Sequence, residues 1–387
     1  MKNGILSCYV GFIFSFLLLQ EACTYNHLPE SNKKIILNWY SAPALQTKED
    51  FTTGILWLFS YLGAKLPNDK FESALKFIDD KKIEVDITEL GFSEQAINNL
   101  EQLLILIKQT SEYQTTGGID AGRFFALCFN TTYHYYKITG APKTYADFSS
   151  KYAAFAYKTF VCDTSSVSNS SRILNYSIED LSIQKNYFIS EEGNGVFSLG
   201  TFAKNGLIEA FDYMENGQPR FLIYNQQGNL YAPSDSSSHP AGKPAKCMWC
   251  HESGMQPLYK NTSSINGFVS KNEFSEDQKN FNRKLNVFHS QTNSKINFID
   301  AKAHTQGEYI YLCFYEPNAE RLSQEWNMSI DKIKVLLANI PTHNNPEFPF
   351  LKDVYYRKQI AQFATYKSIE VSDEMRETTK NEPNYLK

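Results

Sequence analysis

Asn205-Gly206-Leu207-Ile208-Glu209-Ala210-Phe211-Asp212-Tyr213-Met214-Glu215-Asn216-Gly217 sets a run of aliphatic and aromatic residues between two Asn-Gly pairs. Asn and Gly tolerate the positive φ values that tight hairpin turns demand, so each pair is a turn signal with a physical cause. Further signals flank the stretch at Asn194-Gly195 and Gln227-Gly228, at a spacing of about ten residues. Between them lie Val196 to Phe202, Leu207 to Met214 and Phe221 to Tyr224. This rhythm predicts an antiparallel meander.

Toward the N-terminus the apolar period becomes helical. Phe51, Ile55, Leu58, Phe59 and Leu62 keep helical spacing until Gly63, and Phe71, Leu75 and Ile78 suggest a second helix. Ser93 reads as the N-cap of a third, whose apolar stripe is Ile97, Leu100, Leu103, Leu104 and Ile107. Two aromatic helices follow, one around Phe124 and Cys128, the other carrying Tyr145, Phe148, Tyr152 and Phe155, with Gly140-Ala141-Pro142 as the break between them. The Ser-, Thr- and Asn-rich run from Cys162 to Ser171 is the expected boundary between a helical domain, 47–165, and a second region, 172–345.

Downstream of the meander, Ala232 to Lys246 reads as a loop with three successive serines and with Pro233, Pro240 and Pro244. Ser275 and Gln278 have the spacing of a capping box for a helix with Phe281, Leu285 and Phe288 on one face and His289 at its end. The apolar run Tyr309 to Tyr315 reads as a buried strand, a form that periodicity alone does not separate from helix. Two more helices, Ala319 to Trp326 and Ile330 to Ile340, are joined by Asn327-Met328-Ser329. Their outline is that of a helix-turn-helix, but a net charge of −4 supplies no basic face, and nucleic acid is not expected as a partner. The tail, 346–387, is polar and charged and reads as a wrapping or partly disordered segment. The predicted class is therefore α+β: an N-terminal helical region, a central antiparallel meander, and further helices at the C-terminus.

The residues that carry chemistry follow the meander. Lys246-Cys247-Met248-Trp249-Cys250-His251 contains CxxCH. Cysteines three positions apart lie on one side of a helical turn, so both sulfurs reach one porphyrin edge and the next imidazole reaches iron. Other uses of the pentapeptide compete. Zinc needs two further ligands, and only His239 is near in sequence. A thioredoxin-like dithiol should follow an apolar strand, whereas a loop with Pro, Gly and Ser precedes this one. A structural disulfide stays open. The motif resembles that of the c-type cytochromes, which implies one covalent haem c bound through Cys247 and Cys250, with His251 as proximal iron ligand. A meander followed by a Pro-bearing loop and CxxCH also resembles the β-sheet class of c-type haem proteins, such as the β form of cytochrome c-prime.

The N-terminus bears on the same question, because haem attachment of this type requires export. After Lys2, the apolar run Tyr9 to Leu19 has the length of a signal h-region and is short for a membrane span. Ala22-Cys23 ends it, an arrangement that resembles a bacterial lipoprotein signal and implies lipidation of Cys23. Gln20 and Glu21 depart from the usual pattern. Residues 1–22 are thus expected to be a signal peptide and 23–46 a tether, which places the chain in the cell envelope, periplasmic or on the outer surface, anchored to membrane. Apart from Cys8, Cys23 and the motif pair, Cys128, Cys162 and Cys313 are left, an odd number with apolar surroundings at Cys128 and Cys313. No disulfide scaffold is indicated.

What a haem would do depends on iron's other axial position. Met255 follows His251 too closely to cross the porphyrin, and Met328 is better placed in sequence, although with Ser329 as N-cap it also sits where it staples onto Ile333. His289, His304, His343 and His239 are further candidates, and a lone histidine is usually structural. No GxSxG elbow, HExxH helix, P-loop or dinucleotide fingerprint is present. Acidic pairs such as Asp79-Asp80 and Glu191-Glu192 read as solvated surface, and Asn261 heads a common glycosylation triplet. Three functions stay open: an electron carrier serving a redox partner protein, a haem enzyme or gas sensor, and a haem-free envelope lipoprotein with a Cys247–Cys250 disulfide.

Overall fold

A computed structural model describes residues 30–43, 45–165, 171–177, 182–193, 204–232, 243–255, 259–261, 267–292, 296–376 and 382–387. The signal, residues 23–29 of the expected tether with Cys23, Val196 to Phe202 and His239 lie outside the described residues. Lys34–Asn38 of that tether form a strand instead, because Ile35 and Leu37 are buried by pairing in a sheet. The class is α+β, and Lys33–Lys387 form one compact unit.

The N-terminal region is not purely helical. β1 (Lys34–Asn38), β2 (Leu75–Phe77), β3 (Lys82–Asp86) and β4 (Ile119–Asp120) form a sheet in the order β2-β3-β1-β4. Strict alternation explains it: Ile35 and Leu37 of β1, and Ile83 and Val85 of β3, are fully buried, with half-buried residues between them. The helix expected through Phe71, Leu75 and Ile78 lasts one turn, Phe71–Ala74, before Leu75 enters β2 and pairs with Val85. Pairing with β3 outweighs a short helical pattern, and Ile78 is left half exposed.

α1 (Lys48–Tyr61) begins in a capping box of Thr47 and Asp50, and α2 (Glu94–Lys108) begins as expected at Ser93, whose hydroxyl accepts from the Ala96 amide at 3.2 Å. α3 (Ala121–Phe129), α4 (Thr132–Ile138) and α5 (Tyr145–Ser150) account for the aromatic helices.

β5 (Lys158–Cys162), β6 (Arg172–Ser177), β7 (Tyr187–Gly193), β8 (Lys204–Tyr213) and β9 (Pro219–Tyr224) make a five-stranded antiparallel sheet in sequence order. Gly217 has φ +81°, and the Asn216-Gly217 turn sets Pro219 opposite Tyr213. Asn205-Gly206, by contrast, lies inside β8, because pairing of β8 with β7 continues past it to Lys204. The segment expected to divide two domains connects neighbours of this sheet, with Cys162 opposite Arg172.

α6 (Pro244–His251) is followed by α7 (Lys271–Thr292), which lies on the sheet with Phe274 stacked 4.4 Å from Phe160 and Phe281 5.0 Å from Tyr213. The expected cap at Ser275 is one turn late. Ser270 accepts from the Glu273 amide at 3.2 Å, and the earlier start lets the helix bury Phe274. α8 (Ala301–Tyr315) replaces the strand expected at Tyr309 to Tyr315. It lies against both α1 and α3, so Ile310 to Tyr315 are all buried and no polar face marks the helical period. α9 (Ala319–Glu325) and α10 (Ile330–Leu336) form a satellite around Leu322, Trp326 and Ile333. The tail wraps the body, burying Ile369 and Leu386 in the main core. No helix among the described residues is long and apolar enough to cross a membrane.

Candidate functional site

The CxxCH residues lie on a helix, so Cys247 and Cys250 share one turn as their spacing predicts. Pro244 takes the first helical position, where its missing N–H costs nothing and its fixed φ suits the turn, so α6 starts before Cys247. Lys243 just ahead of it is fully buried. Its amide donates to the Arg376 carbonyl at 3.0 Å, and its ammonium donates to Ser372 Oγ at 2.5 Å and the Glu374 carbonyl at 2.7 Å. Glu382 Oε1 stands 3.5 Å from the same ammonium, and Glu382 also accepts from the Thr132 amide at 3.0 Å. Burial pushes the Lys243 ammonium downward against these partners. The C-terminal segment thereby pins the start of the motif helix.

Ala245 and Met248 turn into the core, whereas Cys247, Trp249, Cys250 and His251 are half-buried. The His251 ring lies 5.7 Å from Phe211 and 5.6 Å from Phe221, rings contributed by β8 and β9. Burial lowers its pKa to about 4 against the pull of Glu209 and the Gly254 backbone, so the imidazole is neutral near pH 7. Burial pushes the Cys247 thiol up, with help from Glu209 and Cys250. Cys250 is also raised by burial, and Arg376 and Lys246 oppose the shift. Both are free thiols, as are Cys128 and Cys313. Arg376 places its guanidinium 3.6 Å from the Trp249 ring centre, and Trp249 meets Phe348 edge-on at 5.4 Å.

Two thiols and a neutral imidazole on one short helix fit a covalent haem: the porphyrin brings four nitrogens, and the chain need add only His251 on one side. Among the described residues no group of three or more His, Cys, Asp or Glu could hold a metal ion.

Among the described residues, the structure engages the expected second ligands Met328, His289, His304 and His343 elsewhere. Met328 packs with Leu322, Trp326 and Ile333, a cluster that contains no motif residue. His289 Nε2 lies 3.0 Å from the Gly217 carbonyl, with its ring stacked on Phe298. His304 meets Tyr61, and His343 Nε2 lies 3.1 Å from Glu316. Each of these histidines is structurally engaged. A cleft lined by Tyr40, Asp120, Gly122, Ile310, Cys313 and Arg321 has room for about one water molecule and is no substrate site. No family model, curated protein or solved structure matches this chain.

Sequence reasoning overlooked Lys243, Glu382 and Arg376. It also treated His304 as a lone histidine, although Glu308 follows it at helical spacing. The signal was lost because the segment next to it read as a strand.

Proposed function

We propose that this protein is an exported, membrane-anchored monohaem c-type cytochrome-like protein that handles single electrons in the cell envelope. Cys247 and Cys250 would hold haem c through thioethers, His251 would ligate its iron, and Cys23 would carry the lipid anchor. Bound there, the haem supplies a one-electron couple whose potential depends on its axial ligands and its burial. The chain's own residues set the rest. Phe211 and Phe221 orient the imidazole, Lys243 with its carboxylate partner fixes the helix that carries all three donors, and Arg376 and Lys246 place positive charge near Cys250.

The observation that carries this reading is the joint presentation of free Cys247, free Cys250 and neutral His251 on α6. The test is full-length protein made in a host competent for haem attachment, run denatured and examined for covalently retained haem, with visible spectra oxidised, reduced and reduced with carbon monoxide. Colour that survives denaturation and is lost in Cys247→Ser/Cys250→Ser supports the proposal. Colourless protein with a Cys247–Cys250 disulfide assigns the chain instead to haem-free lipoproteins. Rapid carbon monoxide binding marks an open axial position and a ligand-binding role, and its absence marks a carrier that serves a redox partner protein.

A further inference from the structure

Three buried titratable groups meet where α1 packs on α8. Tyr61, His304 and Glu308 are 2 %, 4 % and 3 % exposed. The Tyr61 hydroxyl bonds to His304 Nδ1, and His304 Nε2 lies 3.3 Å from Glu308 Oε1. Burial pushes the phenol well above its ordinary range, so it keeps its proton and acts as the donor. With the phenol as donor, Nδ1 accepts, and Nε2 faces the Glu308 carboxyl group 3.3 Å away. Trp57 closes one side, its ring edge-on to His304 at 5.2 Å and to Phe298 at the same distance. A buried set of this kind is not the cheapest filling for a core, since apolar residues of similar volume are often as stable or more so.

We propose that Tyr61, His304 and Glu308 form a one-electron redox site. Loss of an electron makes a phenol strongly acidic, and it becomes accessible where a base takes the proton as the electron leaves. Here Tyr61 gives one electron to an outer-sphere one-electron oxidant, which is reduced by one. The Oη proton passes to His304 Nδ1, the new imidazolium lies 3.3 Å from the Glu308 carboxyl oxygen that offsets its charge, and a neutral phenoxyl radical stays on Tyr61. Return of one electron sends the proton back. The base and its counter-charge are already in position, so little reorganisation accompanies the step.

The site is also connected to the motif helix. Tyr311 is fully buried and its phenol is acted on by both Glu308 and Arg376, and Arg376 covers Trp249. A haem on α6 is thus the internal partner this site would serve, a connection that rests on the function proposed above. The redox site itself does not.

The test therefore uses full-length haem-free Cys247→Ser/Cys250→Ser protein, oxidised with photogenerated tris(bipyridine)ruthenium(III), frozen, and read by electron paramagnetic resonance. A tyrosyl signal is expected. In the same background the Tyr61 signal should be lost in Tyr61→Phe and fall about tenfold in His304→Phe, as loss of about 1.4 kcal/mol of barrier lowering by the base implies. Glu308→Gln should show a smaller loss, because the base His304 stays in place while the charge that faces its imidazolium is removed. Should a variant fail to fold, the rate of tyrosine oxidation in ordinary and heavy water decides on the otherwise unchanged chain. A solvent isotope effect of about 2 or more supports proton transfer in the step. An undiminished signal in folded Tyr61→Phe, or equal rates in the two solvents, overturns the proposal.

Discussion

Lys243 is an ammonium with no exposed surface, and its energy depends on what surrounds it. Its partners Ser372 and Glu382 are more than a hundred residues away in sequence. Replacing it by Met keeps the stem and removes the charge, which leaves the Glu382 carboxylate buried without its cation. Lys243→Met is expected to destabilise the fold by about 3–5 kcal/mol. Urea titration measures it, and a loss under about 1 kcal/mol would mean that this contact is no clamp. Cys247, Cys250 and His251 could be read directly, because the CxxCH motif is written in five consecutive residues. Lys243, Arg376 and Glu382 could not, because whether a charge is buried, and against what, is settled by chain that arrives from elsewhere.

Between elements, the crossing of α1 and α8 governs both the core and the buried Tyr61 group. Gly54 makes it possible: a Cβ there would stand 2.7 Å from the Gln306 carbonyl and 2.7 Å from Ile310. Backbone does not yield as a flexible side chain does, so Gly54→Ala must push the helices apart. The gain in helix propensity is about 1 kcal/mol and the overpacking cost about 1–3 kcal/mol, so a net loss of stability is expected despite the better helix former. Thermal melting checks the sign, and a raised midpoint would place the helices farther apart than described. The same crossing explains why Tyr309 to Tyr315 read as a strand. A helix buried between two others has no solvent face, and its sequence shows an apolar run without a period. α1 and α2 were legible because each keeps a capped start and at least one polar edge.

Across the whole molecule, burial of neutral histidines couples stability to pH. His134 bonds to the Leu127 carbonyl through Nδ1 at 2.7 Å and accepts the Tyr385 amide through Nε2 at 2.9 Å, so it ties the tail to α4. Burial lowers both His134 and His289 from 6.5 to about 4. Between those values the unfolded chain binds a proton that the folded one refuses, so stability falls as pH drops from 6.5 to 4. The slope is at most about 1.4 kcal/mol per pH unit for each ring, and below 4 the loss is complete. Glu325, paired with Arg357 and Arg321, has the opposite partners but the same acid limb: its pKa is held near 2, and its contribution is lost as pH falls from 4.5 toward that value. Melting temperatures at pH 7, 5 and 4 should decline steadily, and His134→Gln should flatten the upper part of the fall. A constant melting temperature from pH 7 to 4 would show that these rings titrate normally.

By itself the sequence determined the α+β class, the helix start at Ser93, the Asn216-Gly217 hairpin and the CxxCH motif, because each depends on a few neighbouring residues with fixed conformational or covalent demands. Tertiary structure decided that Leu75 joins a sheet, that Asn205-Gly206 stays within a strand, that 301–315 is helical, and that the tail locks the motif helix. Those outcomes turn on which distant surfaces are present to bury an apolar run or satisfy a charge, and local sequence carries no record of that competition.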